Sequence, residues 1–534
     1  MNGHDDDTTP RDLVALFHCS FHVTKGNEVD WSLTSYPELT LDGVEYLTLP
    51  SGLHAIEEDV LYYTHNDHHG VCVFRRRETS EEGLRGARLG ALCVLVAKSA
   101  SPQPWLHLPA LKRLSDTIDV SENSVPTSTF VQHFEDRRAA FPILETDALL
   151  QSSIFHRLSN PIEPISSFPE FLATLGPCTP TLLKAILCSR RIVIYTHPST
   201  EMASRFATLA TQICFSSLPS HSQQAFTESF SNVGLVGLFD IERLKAMSQN
   251  GQGWIACTTE KLFLEKPQLY DMVIDLTTPP APASRPLLFQ SYPTSPPSSS
   301  PATYRLRPIA PTFSDIYLWL QTIKTSHIFQ QELSQNGSQH VITASWENFW
   351  VGLVWLWSVT RSFLFGRGGS IRLEGYEGSP GILSGPDGDD TAGDDNQPPH
   401  SPTSAVLLLD REPTGPNSRS DIQAMLTYTQ EYLSRFSLQA ETHLPVAATQ
   451  DSQATDESAP VVALHPSDIA LFSLNPFSSV DAEFTKSCIT ATARRRSQYS
   501  AEPSGAGGSG SGSAIPHIEV QRPVSELLSS LFGA

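Results

Sequence analysis

The chain opens with apolar runs closely spaced between polar turns. Leu13-Val14-Ala15-Leu16-Phe17 reads as a strand, and Val44 to Leu49 reads as another. Val60 to Thr64 and Gly70 to Phe74 flank the polar stretch His65 to His69, the pattern of a hairpin. Arg88 to Lys98 is a long apolar strand, and helical spacing follows at Trp105 to Thr117 and Thr129 to Ala140. Strands followed by helices predict an α+β layer over residues 11–150.

From residue 160 the pattern changes. Thr181 to Cys188 gathers Leu182, Leu183, Ile186 and Leu187 on one helical face, and Ile192 to Tyr195 is an unbroken apolar strand. Ser199 to Phe215 reads as a helix capped by Ser199 or Thr200. Val233 to Phe239, Trp254 to Cys257 and Met272 to Leu276 are further strands, with Asp240 capping the helix after the first of them. This alternation predicts a mostly parallel sheet, covered on both faces, over residues 160–277.

Residues 278–302 form a Pro/Ser linker by composition. Phe313 to Thr325, Val341 to Phe365, Asp421 to Phe436, Ser467 to Leu474 and Val480 to Ile489 read as helices of an all-helical module spanning 303–490. It is interrupted near 375–417 and 444–459, where too little apolar surface is available to offset ordering entropy, so disorder is expected. A Gly/Ser linker at 497–513 leads to an amphipathic segment at 523–532, expected to dock on its own domain. The fold class predicted is a multidomain chain of α/β and α+β lobes.

Composition narrows the functional classes. The 534 residues carry a net charge of −21, which repels phosphate backbones and argues against nucleic-acid binding. None of the eight cysteines forms a C-x-x-C pair, and most lie in apolar runs, as expected of buried reduced thiols in a cytoplasmic protein. Asp5-Asp6-Asp7 is the opposite of a secretory signal. Phe349 to Thr360 is apolar, but a spanning helix needs about 20 residues, so it reads as a core helix and no transmembrane segment is expected.

Motifs for small-molecule chemistry are missing or misplaced. After Ile192 to Tyr195 the chain reads Thr-His-Pro-Ser, without the glycine that lets backbone approach a pyrophosphate. Gly508 to Gly512 matches G-x-S-x-G but follows no strand. His65, His68 and His69 read as a solvated turn rather than a metal site. Trp346, Trp350, Trp355 and Trp357 read as a core stripe. Arg75-Arg76-Arg77 and Arg494-Arg495-Arg496 read as solvated surface, the latter with Ser497 resembling a basic-directed phosphorylation site. Arg85-Gly86-Ala87-Arg88 reads as a bulged strand entry, with an arginine finger as the sharper alternative. No catalytic residue, metal or cofactor is expected.

Three blocks carry a family resemblance. The first contains Gly26 to Trp31, Leu41 to Tyr46, Pro50 to His54 and Arg85 to Arg88; the second contains Leu183 to Tyr195 and Gly253 to Asp275; the third is Asp468 to Phe484. The chain resembles DENN-domain proteins, nearest to the LCHN branch, with long insertions as in fungal members. The resemblance implies a longin-like upstream lobe, an α/β central DENN lobe and a helical downstream region. It implies an exchange factor for a Rab-type small GTPase in vesicle trafficking, cytoplasmic and peripheral on endomembranes through the GTPase. Asp30 and Trp31 are candidate partner contacts, with core packing as the alternative for Trp31. Two other readings stay open: a non-catalytic scaffold or effector, and a GTPase-activating protein using Arg85, or else Arg88, as its finger.

Overall fold

The computed structural model describes residues 9–50, 52, 56–79, 86–99, 102–118, 127–141, 143, 162–277, 287–294, 303–325, 419–444, 461–476, 478–500 and 517–520. The expected helix at 341–365 with its tryptophan stripe, the stretches 375–417 and 445–459, the segment 523–532, and Arg85 lie outside these residues.

The upstream lobe is an antiparallel sheet of β1 (Leu13–His22), β2 (Gly26–Thr34), β3 (Glu58–His65), β4 (His68–Glu78) and β5 (Ala87–Val96). The β3–β4 hairpin turns through Asn66 and Asp67, both at positive φ, and His65 pairs with His68. Two consecutive left-handed residues match the twist of the flanking strands, and Asn and Asp tolerate that conformation. Val44 to Leu49, expected as a strand, forms the short helix α1 (Val44–Thr48). Gly43 at φ 86 starts it, and the Asn27 side chain donates to the carbonyls of Glu45 and Leu49, groups that a sheet ladder would otherwise use. Helices α2 (Leu108–Asp116) and α3 (Ser128–Arg137) cover one face, burying Leu111 and Phe130 against Leu16, Val60 and Val94.

The central lobe carries helices α4 (Phe168–Leu175) and α5 (Cys178–Leu187), strand β6 (Arg191–Tyr195), helices α6 (Glu201–Ser217) and α7 (Ser220–Ser229), strand β7 (Phe230–Leu235), helix α8 (Ile241–Gln249), and strands β8 (Gly253–Thr258) and β9 (Met272–Asp275). The strands β9, β6, β8 and β7 are parallel neighbours, as the apolar runs predict. Asp240 is the residue before α8, yet its side chain accepts from the Gly237 N–H and pairs with Arg243 instead of capping α8.

The expected linker at 278–302 contains a strand, β10 (Leu287–Pro293), which pairs with β9 and with β11 (Tyr304–Ile309). Leu288 is buried and Phe289 packs on the opposite face, so alternating apolar residues outweigh the surrounding prolines. The region expected to be all-helical supplies β11, as well as β12 (Val461–Leu464), which pairs in parallel with β13 (His517–Val520). Its helices are α9 (Phe313–Lys324), α10 (Arg419–Thr442), α11 (Pro466–Leu471) and α12 (Ser479–Ser500). Among the described residues, no helix is long and apolar enough to cross a membrane.

The two sheets are one. Strand β3 pairs with β7 at Tyr63 and Gly234, giving an eleven-stranded mixed sheet in the order β11-β10-β9-β6-β8-β7-β3-β4-β5-β1-β2. Gly234 sits at φ 73, and a Cβ there would lie 2.5 Å from the Tyr62 carbonyl oxygen, so only glycine admits this join.

A buried ion cluster ties the helical region to the central lobe. Lys184 of α5 lies 2.6 Å from Asp315 and 3.6 Å from Asp481, all three side chains having 1% exposure or less. Thr312-x-x-Asp315 is a capping box at the start of α9, and Ser478-x-x-Asp481 bonds similarly at the start of α12. One lysine therefore holds the starts of two helices. Burial works against its ammonium, but the two aspartates outweigh that and raise its pKa above the ordinary lysine value.

Candidate functional site

The join between the two lobes is the feature with the most specific construction. Asp59, near the start of β3, is 2% exposed and faces the start of α6. Its carboxylate accepts from the Thr200 N–H at 2.7 Å, the Glu201 N–H at 3.2 Å, the Ser199 hydroxyl at 2.7 Å and the Thr200 hydroxyl at 3.1 Å. A helix N-terminus leaves its first N–H groups unpaired and carries partial positive charge, which a carboxylate satisfies on both counts. The cap of α6 therefore comes from the other lobe, where Ser199 or Thr200 was expected to supply it.

Further contacts cross the same join. Gly52 at φ 92 lies against Pro198, which a Cβ would approach to 2.9 Å. The Thr64 hydroxyl donates to the Asn232 carbonyl at 3.3 Å, and Arg243 donates to the Thr64 carbonyl at 2.8 Å. Glu201 lies beside Arg205 at 3.6 Å, and burial raises its carboxyl above the ordinary range, with Arg205 and Lys112 pulling the other way. Such a join holds the lobes in fixed register.

Over this rigid base lies an apolar surface. The Tyr46 ring of α1 stacks on Phe239 with centroids 4.3 Å apart, one ring from each lobe. Phe239 is 73% exposed, Leu238 40% and Tyr46 39%. Leu238 and Phe239 follow β7, and the exposed Leu262 follows the adjacent β8, so the patch gathers at the carboxyl ends of the parallel strands. Ligands of α/β sheets bind at that end because the loops there project free of the helices. Nothing in the patch is a nucleophile or a general base; it is suited to docking.

The residues singled out from sequence fall elsewhere. Trp31, a candidate partner contact with core packing as its alternative, takes the core position: it is 6% exposed and packs against Phe130 with centroids 5.2 Å apart and over His18. Its position on β2 turns it toward α3, whose apolar face needs a partner. Asp30 accepts from Ser20 at 2.7 Å and bonds His18 at 2.5 Å, so its carboxylate is already engaged. Arg88 lies in β5 opposite Arg77 and is half-buried.

Two readings of charged residues as solvated are corrected. Arg77 donates to the carbonyls of Ser115 and Ile118, satisfying the end of α2, and Arg75 pairs with Asp116 and Glu58. Arg495 is buried inside α12, while Arg494 and Arg496 are exposed. The histidines of the hairpin are likewise bonded rather than solvated: His68 is 2% exposed and bridges the Tyr36 hydroxyl and the Val96 carbonyl, and His65 bonds the Thr40 carbonyl.

Sequence reasoning missed Asp59, Tyr46 and Phe239. A lone aspartate before an apolar strand carries no spacing signal, and an exposed aromatic pair made by two lobes has none in one dimension. The Thr312-x-x-Asp315 and Ser478-x-x-Asp481 spacings were readable as capping boxes, but their convergence on Lys184 was not.

An antiparallel sheet lobe and a parallel α/β lobe are thus fused edge to edge, with exposed aromatic side chains from both lobes stacked at the fusion. The family model for DENN domain-containing protein 11 matches residues 16–286, half of the chain and both lobes, and the chain belongs to that family. It is 25% identical over 275 residues to DENN domain-containing protein 11 of Danio rerio, covering 49% of this chain and 53% of the relative. Against the Xenopus laevis protein of the same name, identity is 25% over 271 residues, 49% of this chain and 59% of the relative. Against the uncharacterized protein ANR2 of Saccharomyces cerevisiae it is 22% over 306 residues, 50% and 58% of the two chains. The matched part spans little more than half the length of these curated relatives.

Proposed function

We propose that this chain is a guanine nucleotide exchange factor for a Rab-type small GTPase, docking it on the surface shared by the two lobes. The observation that carries the reading is the Tyr46–Phe239 stack, an exposed aromatic pair contributed by both lobes above a join that cannot easily flex. Membership in the DENN-domain family supports it at family level.

Exchange needs no general acid or base. A factor that binds the nucleotide-free GTPase more tightly than the nucleotide-bound form weakens nucleotide affinity by the same factor. A tenfold effect takes only about 1.4 kcal/mol of differential stabilisation. A pre-formed aromatic surface spends little of its binding energy on ordering itself, which leaves more for that difference. Membrane association would then follow the GTPase, peripheral and at endomembranes.

The reading is tested by binding a panel of Rab GTPases to the full chain, each nucleotide-free and GDP-loaded. One member should bind more tightly when nucleotide-free, and Phe239→Ala should weaken that complex. Equal affinity for both forms would favour a scaffold or effector. Faster GTP hydrolysis that is lost in Arg85→Ala would favour an activating protein.

A further inference from the structure

The helical region meets the central lobe around a cavity that the exchange reading does not use. Its walls are α7, α10 and α12, and its volume is about 320 Å³. Small-molecule sites begin at roughly that size, about 300 Å³. Leu218, Ser222 and Ala225 line it along α7, Ser437, Glu441 and Leu444 along α10, and Thr492 and Arg495 along α12. Spacings of three and four set each group on one side of its helix. The small side chains of Ser222, Ala225 and Ser437 leave the gap between the helices open. The exposed His221 and Arg496 mark its mouth.

Two buried groups on these walls have bonding capacity left over. Arg495 is 4% exposed and donates to the Leu187 carbonyl and the Thr492 hydroxyl, both at 3.1 Å. A guanidinium has five N–H groups, so donors remain. Both acceptors are neutral, and a buried cation with only neutral partners is costly. Among the described residues no carboxylate lies within ion-pairing distance of it. Ser437 is 3% exposed, and its hydroxyl makes no hydrogen bond among the described residues. Glu441 stands on the same cavity. It accepts from the Ser222 hydroxyl at 2.8 Å and lies 3.4 Å from the His221 ring, but no lysine or arginine pairs with it among the described residues. The cavity thus holds a cation and a carboxylate apart, with buried Leu218, Ala225 and Leu444 supplying apolar wall.

We propose that this cavity binds a small zwitterion with an apolar body, of the kind and size of a free aliphatic amino acid. The ligand carboxylate accepts from the spare Arg495 donors and the Ser437 hydroxyl, and its ammonium donates to Glu441. The apolar body lies on Leu218, Ala225 and Leu444. Glu441 decides the class: a phosphate or a simple carboxylate brings negative charge to the cavity without a cation to meet it. An amine without a carboxylate leaves Arg495 as it is. A bound zwitterion bridges α7 of the central lobe to α10 and α12, so it stabilises their contact.

The test is isothermal titration calorimetry on the full chain, with thermal unfolding in parallel. The probes are L-alanine, L-valine and L-leucine, then isocaproate, which is leucine without its ammonium, isopentylamine, which lacks the carboxylate, and inorganic phosphate. At least one amino acid should bind and raise the unfolding midpoint in step with its concentration. Isocaproate, isopentylamine and phosphate should each bind about tenfold more weakly or worse, the scale of one lost charged hydrogen bond. Glu441→Gln should remove most of the preference for that amino acid over its deaminated acid, and Ser437→Ala should weaken both alike. Binding of no amino acid would overturn the proposal. So would phosphate or isocaproate binding as tightly as the amino acids, or an unchanged preference in Glu441→Gln. The wild-type series decides by itself if a variant fails to fold.

Discussion

The Asp59 carboxylate of the upstream lobe accepts the Thr200 N–H of the central lobe at 2.7 Å, so one lobe caps the first helix after the other's leading strand. The same carboxylate takes the Ser199 and Thr200 hydroxyls and the Glu201 N–H. Asp59→Ala leaves these donors buried without an acceptor. A loss of about 2–3 kcal/mol is expected, at the upper end for a charged cap. Urea unfolding should show the midpoint fall with an unchanged slope; a variant as stable as wild type would mean that the cap is not what holds the lobes together.

Lys184 should be the costliest single position in the helical attachment. Lys184→Met removes the only cation paired with buried Asp315 and Asp481 among the described residues, and about 3–5 kcal/mol should be lost. The wild-type contribution has a definite pH sign. Because the folded pKa of Lys184 is raised, the stability it confers is fully present below the ordinary lysine pKa and disappears as pH climbs through the folded value. Lys184→Met should lack that alkaline decline, which unfolding measured across a series of alkaline buffers would reveal.

The β3–β4 hairpin should be sensitive to acid. Burial lowers the pKa of His65, His68 and His69, the last to about 4, with His68 and Arg243 adding to the effect at His69. Between about 6.5 and that value the unfolded chain binds a proton that the folded chain refuses, so stability falls as pH falls through the window. His69→Gln should flatten this dependence while leaving stability at pH 8 nearly unchanged. An equal slope in wild type and variant would place the acid sensitivity elsewhere.

What could be read in one dimension follows from the range of the interactions. The β3–β4 hairpin, β6, β8, β9 and α9 rest on alternation, apolar runs and local caps, all short-range signals, and they form where expected, while β7 (Phe230–Leu235) lies earlier than the expected Val233 to Phe239. Val44 to Leu49 went the other way because Asn27, far from it in sequence, bonds its carbonyls. The strand Leu287–Pro293 was hidden by the prolines and serines around it. The candidate site was the least legible part. Tyr46 and Phe239 meet only because Gly234 lets two sheets become one, and an exposed aromatic pair made by two lobes has no periodicity to announce it.

The central claim is that a docking face shared by both lobes opens a GTPase. The most direct measurement is the rate of labelled-GDP release from each of a panel of Rab GTPases, with wild type and with Tyr46→Ala/Phe239→Ala. Both side chains are substantially exposed, so the double variant should keep the wild-type unfolding midpoint. Wild type should accelerate release from at least one member, and the variant should lose about tenfold or more of that acceleration, the scale of losing a central aromatic contact. Release that no member shows, or that the variant leaves at the wild-type rate, would contradict the account.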